Sequence, residues 1–344
     1  MKPGPIAKRV VVFAALTLMG HAACAQSAAE FYAGKRLNIV VGTAAGGGYD
    51  TYARMIARYM PAHLPGNPSI VVQNMPGAGS NVAAAYIQNV AAKDGTWIGA
   101  YQSGMVLEPL IGSRPFNHDP SKAQYLGSAN DDIYICIARS DAPVKEFKDA
   151  FTTEMVMGAS GNSSSSDYAW VLNAVLGTKF KTVLGYQGSR QISLSIEKGE
   201  VQGACGFAWP SISVTQPREF ETGTLKVIVQ AHSIGHPDLH KKGVPLAGSF
   251  AKTDEDKAVL DFFFSQTRFG RPYALAAGVP ADRVDFMRKA FAATMTDPQL
   301  RAEAAKMKLD VDYVPGEDLQ ALVTKIYAAP PAVIERTKAA LNPK

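Results

Sequence analysis

The pattern of apolar and polar positions predicts a strand, a glycine-rich turn and a helix within residues 37 to 60. Leu37 to Val41 is a short apolar run that is typical of a buried parallel strand. Gly46, Gly47 and Gly48 follow, and because they lack a Cβ the chain can turn sharply there. Asp50 or Thr51 is positioned to cap the next helix, in which apolar side chains recur on one face at Tyr52, Met55, Ile56, Tyr59 and Met60. Free N–H groups and the helix dipole make this helix start a candidate anion site.

The same order of elements recurs along the first third of the chain. A second strand at 68 to 73 precedes the turn 74 to 79 and a helix capped by Ser80 or Asn81. A third strand at 96 to 101 leads into Gln102-Ser103-Gly104. This β-α-β-α-β pattern predicts an open α/β sheet whose turns share one edge.

A second group of strands begins at Ile133 to Ala138, which we expect to lead into a second lobe. Strands at 155 to 159 and 182 to 186 are followed by polar turns, Ser160 to Ser166 and Gln187 to Ser189, and then by helices. The serine run is interpreted as a binding turn or as a flexible linker. Trp209, which follows a strand at 201 to 208, forms either an aromatic wall of the site or interlobe core. A strand at 226 to 230 and helices at 283–295, 298–308 and 319–327 complete the chain.

Common enzyme motifs do not fit these turns. The dinucleotide fingerprint would need glycine where Thr51 stands, and the P-loop would need Lys after Gly48. His232, His236 and His240 are spaced like metal ligands on a helix, but Gly235 and Pro237 argue against a helix there. We therefore expect no metal and no cofactor.

Residues 1–25 have the features of an export signal. Lys2, Lys8 and Arg9 precede an apolar stretch that is too short to span a bilayer, and 23 to 25 fit a cleavage site after Ala25. Cys24 leaves open a lipid-anchored alternative, although soluble release into the periplasm is favoured.

Removal of this segment changes what the charge implies. It carries three basic residues and no acidic ones, so the formal net charge falls from +5 to +2. With no basic stripe, this balance does not indicate nucleic-acid binding. Cys136 and Cys205 remain, and they either pair or stay as buried thiols. The remaining length, about 320 residues, favours two lobes over one core.

Several segments, taken in order, resemble the Bug-type, TctC-like solute-binding receptors of bacterial tripartite tricarboxylate transporters. They are GKRLNIVVGTAAGGGYDTYAR, VVQNMPGAGSNVAAAYI, KDGTWIGA, VLGYQGSRQISLSIEKGEVQGACGF and HPDLHKKGVP. The resemblance implies a type II periplasmic-binding fold with two α/β lobes around a ligand cleft. Residues 26–132 and 210–344 would form the first lobe and 133–209 the second, with hinges near 131 to 134 and 207 to 211.

The resemblance also implies a small carboxylate ligand and delivery to a membrane permease by a monomer. The turns 46 to 50 and 77 to 81 would line one side of the cleft, and 160 to 166 and 186 to 189 the other. The candidate ligand contacts are Thr43, Ala45, Gly47, Gly48, Tyr49, Asp50, Gly77, Ser80, Asn81, Ser103, Ser160, Asn162, Ser163, Ser164, Tyr186, Gly188, Ser189 and Trp209.

Two other functions fit parts of the sequence. An exported hydrolase could use a serine from Ser163 to Ser166, but no motif ties His63, His118 or His232 to those serines. A receptor that reports its ligand to a sensor would carry the same residues as a transport receptor. The binding function, without covalent chemistry, is the main hypothesis.

Overall fold

A computed structural model describes residues 27–112, 118–161 and 163–343. The predicted signal segment with its cleavage site, the alternative anchor Cys24 and the candidate contact Asn162 all lie outside these residues. Within the described ranges, no helix combines the length and apolar content that crossing a bilayer requires.

The first lobe is built on a six-stranded sheet, and the predicted β-α-β-α-β unit forms one half of it. β1 (Leu37–Val41) lies between β2 (Ile70–Asn74) and β3 (Trp97–Ala100), and pairs with both in parallel. The remaining strands run antiparallel beside β3 in the order β10 (Pro272–Leu275), β4 (Gln124–Ser128) and β11 (Val314–Pro315).

Helices cover this sheet with their apolar faces. α2 (Gly48–Tyr59) buries Tyr52, Met55 and Ile56, as the helical spacing predicts. The other helices associated with this lobe are α1 (Ala28–Tyr32), α3 (Asn81–Asn89), α4 (Glu108–Ile111), α11 (Ala281–Thr296), α12 (Pro298–Lys306) and α13 (Gly316–Tyr327). A further helix, α14 (Pro331–Leu341), follows the proline pair because proline fits the first position of a helix.

The second lobe is built on a five-stranded sheet in the order β7 (Phe180–Val183), β6 (Met155–Gly158), β8 (Gly203–Ala208), β5 (Tyr134–Arg139) and β9 (Leu225–Ala231). β6 is parallel to β7 and β8, whereas β5 is antiparallel to β8 and β9. Its helices are α5 (Ser164–Leu176), α6 (Ser189–Lys198), α7 (Trp209–Thr215), α8 (Pro217–Glu221) and α9 (Pro237–Lys241), and α10 (Asp254–Phe264) and α14 pack against α5.

The chain passes between the two sheets at two neighbouring places, and one of them overlaps an expected hinge. The first crossing, residues 129–133, connects β4 to β5 and overlaps the expected segment 131 to 134. The second crossing is 265–271, and the two are joined by hydrogen bonds from Ala129 N to Arg271 O (2.9 Å) and from Asp132 N to Thr267 O (3.0 Å). The expected hinge at 207–211 is wrong, since this segment continues from β8 into α7 and Trp209 N donates to Ile133 O.

The second sheet also extends beyond the predicted range 133–209. β9 pairs with β5 along six residue positions, so a strand that the expected boundary at 210 assigned to the first lobe lies in the second. Its apolar run fits a strand in either sheet, and sequence alone contains no signal that selects the partner.

Neighbouring strands of the second sheet carry the two cysteines. Cys136 on β5 and Cys205 on β8 form a disulfide, which settles the open question of their pairing. Both sulfur atoms are buried in the apolar interior of the lobe, because each residue is fully inaccessible. The bond closes a loop with a sequence separation of 69 residues.

Replacing both cysteines by alanine should lower the free energy of unfolding by about 2–4 kcal/mol, mainly because the unfolded chain regains entropy. Urea unfolding of oxidised protein measures this difference. A reducing agent should lower the stability of the wild type towards that of the double variant and leave the variant unchanged. Equal stability of wild type and variant under oxidising conditions would contradict the expectation.

Candidate ligand-binding site

The triple-glycine turn leads directly from β1 into α2. Gly46 has a φ of 81°, and Gly47 occupies the N-cap position, where no described side chain provides a capping hydrogen bond. The first N–H groups of α2, from Gly48 onwards, have no acceptor within the helix. Gly47 and Gly48 are exposed, as is Ala45, so this helix start is open to an external anion.

The carboxylate of Asp50 takes neither of the two roles expected for it, which were capping α2 and contacting a ligand. Its carboxylate accepts hydrogen bonds from Gly46 N (2.8 Å), Arg54 Nε (3.0 Å) and Asn74 Nδ2 (2.9 Å). Burial acts to raise the pKa of Asp50, but the bonds from Arg54, Gly46 and Asn74 outweigh it and lower the pKa to about 2. The carboxylate therefore ties the turn to the helix and to β2, and its oxygens are occupied without a ligand.

The second glycine turn is held to its neighbours by a buried serine. Gly77, Ala78, Gly79 and Ser80 all have positive φ angles, from 45° to 139°. Ser80 Oγ donates to Gly42 O (3.2 Å) and accepts from Gln102 N (3.0 Å). The hydroxyl of this candidate contact therefore links the three turns at the carboxyl edge of the first sheet.

The other first-lobe candidates lie at the same edge. Ser103 N donates to Tyr49 Oη (3.1 Å), so Tyr49 holds the turn after β3. Thr43 O accepts from Asn74 Nδ2 (3.0 Å), whereas the buried Thr43 Oγ1 has no hydrogen-bond partner among the described residues. Asn81 is the first residue of α3 and is almost fully buried.

The serine turn of the second lobe is ordered around its own hydroxyl groups. Ser163 caps α5 and forms a capping box with Ser166. Ser160 Oγ lies 2.8 Å from Ser163 Oγ and 3.1 Å from Ser165 Oγ. These contacts favour the binding-turn interpretation over a flexible linker and leave the first N–H groups of α5, at Ser164 and Ser165, as donors.

Close approach of α5 to the sheet positions this helix start. A Cβ on Gly206 of β8 would lie 2.0 Å from Ser164 O, so only glycine allows the contact. Gly206 also has a φ of 67°. The helix start at Ser189 follows Gly188, whose φ is 145°.

A cavity of about 770 Å³ opens beside these two helix starts. Four candidate contacts, Ser160, Ser163, Ser164 and Ser189, line it, and the described lining residues all belong to the second lobe. Among the lining residues that the sequence analysis did not select are Tyr134, Ser165 and Arg190.

Two aromatic candidates lie away from the described lining. Trp209 packs edge-on against Phe220, with ring centroids 5.3 Å apart, and is 7% exposed. Trp209 belongs to the core of the second lobe. Both expected positions, in a wall of the site and in a core between the lobes, are therefore wrong. Tyr186 lies over Gly158 at the end of β6.

Tyr134 lies between the two sets of turns. It lines the cavity with Ser160 and Ser163, and it lies close enough to Ser103 and Asp132 for both to affect the pKa of its phenol. Burial raises the pKa of Tyr134, and the nearby Asp132 adds to the effect, so the phenol stays protonated. Tyr134, the first residue of β5, therefore lies between the serine turn of the second lobe and the turn after β3 in the first.

Arg271, at the end of the second crossing, is the main polar residue that the sequence analysis missed. Its Nη1 donates to Asp132 Oδ2 (2.9 Å) and to Gly270 O (2.6 Å). Its guanidinium carbon lies 4.4 Å from the centre of the Tyr49 ring. Asp132 is 139 residues away in sequence, and no local pattern predicts such a contact.

The fold and the sequence were compared with known proteins, and no family model matches the chain. A UPF0065 protein from the TAR-I ttuE-ttuC' intergenic region of Agrobacterium vitis is 28% identical over 241 residues, which is 67% of this chain. The chain spans 66% of the length of that relative.

Solved structures give broader coverage. A TctC solute binding protein from Polaromonas has a TM-score of 0.69 at 20% identity, over 87% of this chain and 98% of that one. The periplasmic binding protein BugD has a TM-score of 0.58 at 22% identity, over 89% and 97%. An R. palustris protein with adipate has a TM-score of 0.60 at 18% identity, over 88% and 97%.

The resemblance to Bug-type, TctC-like solute-binding proteins is confirmed. The predicted fold class, a type II periplasmic-binding fold with two α/β lobes, is confirmed as well. In such a fold, ligands bind outside the carboxyl ends of the strands, where the described glycine and serine turns lie.

The histidines at 63, 232, 236 and 240 bond carboxylates or backbone groups of the described residues. His232 Nε2 bonds Asp131 (2.9 Å), and its Nδ1 accepts from Ile234 N and Gly235 N. His63 bonds Asp297 at 2.9 Å. Contrary to expectation, Pro237 begins a short helix, yet His236 caps it and His240 bonds Ile234 O, so the spacing of four does not align the rings.

The low pKa of Asp50 predicts how its contribution to stability depends on pH. Because the folded value, about 2, lies below the ordinary 3.8, the ionised carboxylate stabilises the fold fully above pH 4, and this contribution is lost as the pH falls towards 2. Asp50→Asn should therefore cost about 1–2 kcal/mol at pH 6 and progressively less below pH 4. Urea unfolding at several pH values measures the gap. The exposed Glu200→Gln is the control, and a gap that does not change with pH would contradict the assignment.

Proposed function

We propose that the protein is an exported solute-binding protein that captures a small carboxylate in the periplasm and delivers it, as a monomer, to the permease of a tripartite tricarboxylate transporter. One observation carries the proposal: α2 begins with exposed, uncapped glycines, and the acidic side chain nearest to them is already bonded elsewhere. The helix start therefore keeps donors and partial positive charge for an external anion.

The second lobe offers a matching set of donors. The hydroxyl groups around Ser163 orient the start of α5, and the amides of Ser164 and Ser165 point out of the helix towards its N-terminal side. Ser189 begins α6 beside the same cavity. A carboxylate, which accepts several N–H bonds at once, suits these donors better than a neutral group.

Tyr49 and Tyr134 supply aromatic surface between the two sets of donors. Both rings are half-buried, and the Tyr49 hydroxyl accepts a hydrogen bond from Ser103 N. We therefore assign them to the body of the ligand and the amides to its charged ends. The adipate in the R. palustris structure belongs to that protein, and it makes straight-chain dicarboxylates the first compounds to test here.

Delivery to a permease and reporting to a sensor would use the same binding step. The proposal favours delivery because the comparisons are with solute-binding proteins. Loss of dicarboxylate uptake in cells that lack the protein would separate the two roles. No covalent chemistry is assigned to the serine turn, whose hydroxyls bond one another.

Calorimetry with the straight-chain dicarboxylates from malonate to suberate should detect binding, whereas adipamide, which has no charge, should not bind. Gly48→Pro should weaken the tightest interaction about 10-fold, because proline removes the N–H at the first helical position without breaking the helix. Gly47 has φ −84° and ψ 172°, which a residue before proline tolerates.

Gly48→Ala is the matched control, since it keeps the N–H and should bind like the wild type. Binding of adipamide as tightly as adipate, or of no dicarboxylate at all, would refute the proposed ligand class.

Ser164→Pro tests the second lobe in the same way. It removes the first N–H of α5, and Ser163, with φ −148° and ψ 170°, is again compatible with a following proline. We expect affinity to fall about 10-fold relative to Ser164→Ala, which keeps the amide. Identical affinities for the proline and alanine variants would show that α5 does not contact the ligand.

A further inference from the structure

Arg271 lies where the second crossing meets the start of α2. Its Nη2 is 3.6 Å from the position that a Cβ on Gly48 would occupy. The guanidinium also lies over the Tyr49 ring at 4.4 Å and near the Tyr52 ring at 5.3 Å. The separation of 3.6 Å is an ordinary van der Waals distance, so Nη2 lies directly beside the first residue of α2.

Only one end of the guanidinium is used by the protein. Nη1 donates to Asp132 and to Gly270 O, whereas Nε is buried and has no hydrogen-bond partner among the described residues. None of the described hydrogen bonds uses Nη2 either. Because Nε is enclosed by the protein, Nη2 is the nitrogen of this guanidinium that remains to donate to a ligand.

A guanidinium N–H without an acceptor is costly when it is shielded from water. A buried donor without a partner costs about 1–3 kcal/mol, and more when it carries charge. The Arg271 side chain is only 17% exposed, and stacking on Tyr49 restricts the plane of the guanidinium. Asp132 balances the charge of Arg271, so the arginine offers directed donors rather than excess charge.

A neighbouring pair provides an internal comparison. Arg268, also in the second crossing, donates from Nη1 to Asp131 Oδ2 at 2.9 Å, the same distance as in the Arg271–Asp132 pair. Both pairs join the two crossings, but the distinguishing contacts with Tyr49 and Gly48 belong to Arg271. A purely bracing role would make the two arginines equivalent.

We infer that Arg271 binds a carboxylate of the ligand directly through Nη2, beside the first amides of α2. This inference rests on the proposed function and adds a side chain from the second crossing to a site otherwise made of backbone donors. It also means that the ligand contacts one of the two segments that connect the lobes, so binding bears directly on the geometry of the crossing.

The test compares Arg271→Gln with Arg268→Gln, using calorimetry with the dicarboxylate that the wild type binds most tightly and thermal unfolding of the ligand-free proteins. Arg271→Gln should weaken binding at least about 10-fold, because a hydrogen-bonded ion pair is lost. Arg268→Gln should lower the unfolding temperature and leave affinity close to that of the wild type. Arg271→Lys should restore only part of the affinity, because an ammonium lacks the planar guanidinium that stacks on Tyr49 and directs Nη2.

Equal affinities of the wild type and Arg271→Gln, with both arginine variants destabilised alike, would overturn the inference and leave the proposed function standing. Failure of the wild type to bind any dicarboxylate would overturn both. Should Arg271→Gln not fold, Arg271→Lys decides, since wild-type affinity in that variant would exclude a contact that needs the guanidinium.

Discussion

The pairing of the two crossings is the constraint on which the rest of the structure depends. The hydrogen bonds between Ala129 and Arg271 and between Asp132 and Thr267 run the two segments side by side. The first crossing leads into β5 of the second sheet and the second crossing leads into β10 of the first sheet. The pairing of the crossings therefore determines how the edges of the two sheets are placed relative to each other. Without it, the glycine turns and the serine turn would be separate helix starts on separate lobes.

Charged side chains hold the two crossings in a defined orientation, but they contribute little to the stability of the fold. Asp131 is bonded by His232 and Arg268, and Asp132 by Arg271 and Asn130. Burying such groups costs solvation energy, and a buried ion pair often contributes little net stability over well-packed apolar residues. Their bonds are directional, however, and each joins segments that are far apart in sequence. They therefore specify a geometry that apolar packing would leave less well defined.

Local sequence patterns predicted the elements and turns but not their long-range assignment. The strand before Gly46 and the helix after it follow from nearby residues, and the structure contains both. The membership of β9 in the second sheet and the contacts of Arg271 and Trp209 depend on partners far along the chain. Hydrophobic periodicity indicates which face is buried, but not against which element.

The side chains at the candidate site are largely committed to holding the turns. Asp50 ties its turn to β2, Ser80 links three turns, and Tyr49 holds the turn after β3. What remains for a ligand is mostly backbone N–H, which every residue except proline carries. A sequence therefore indicates an anion site of this kind through its glycines and helix caps, while the identity of the anion leaves little trace in residue type. Arg271 is the exception that we infer, because none of the described hydrogen bonds uses its Nη2 at the start of α2.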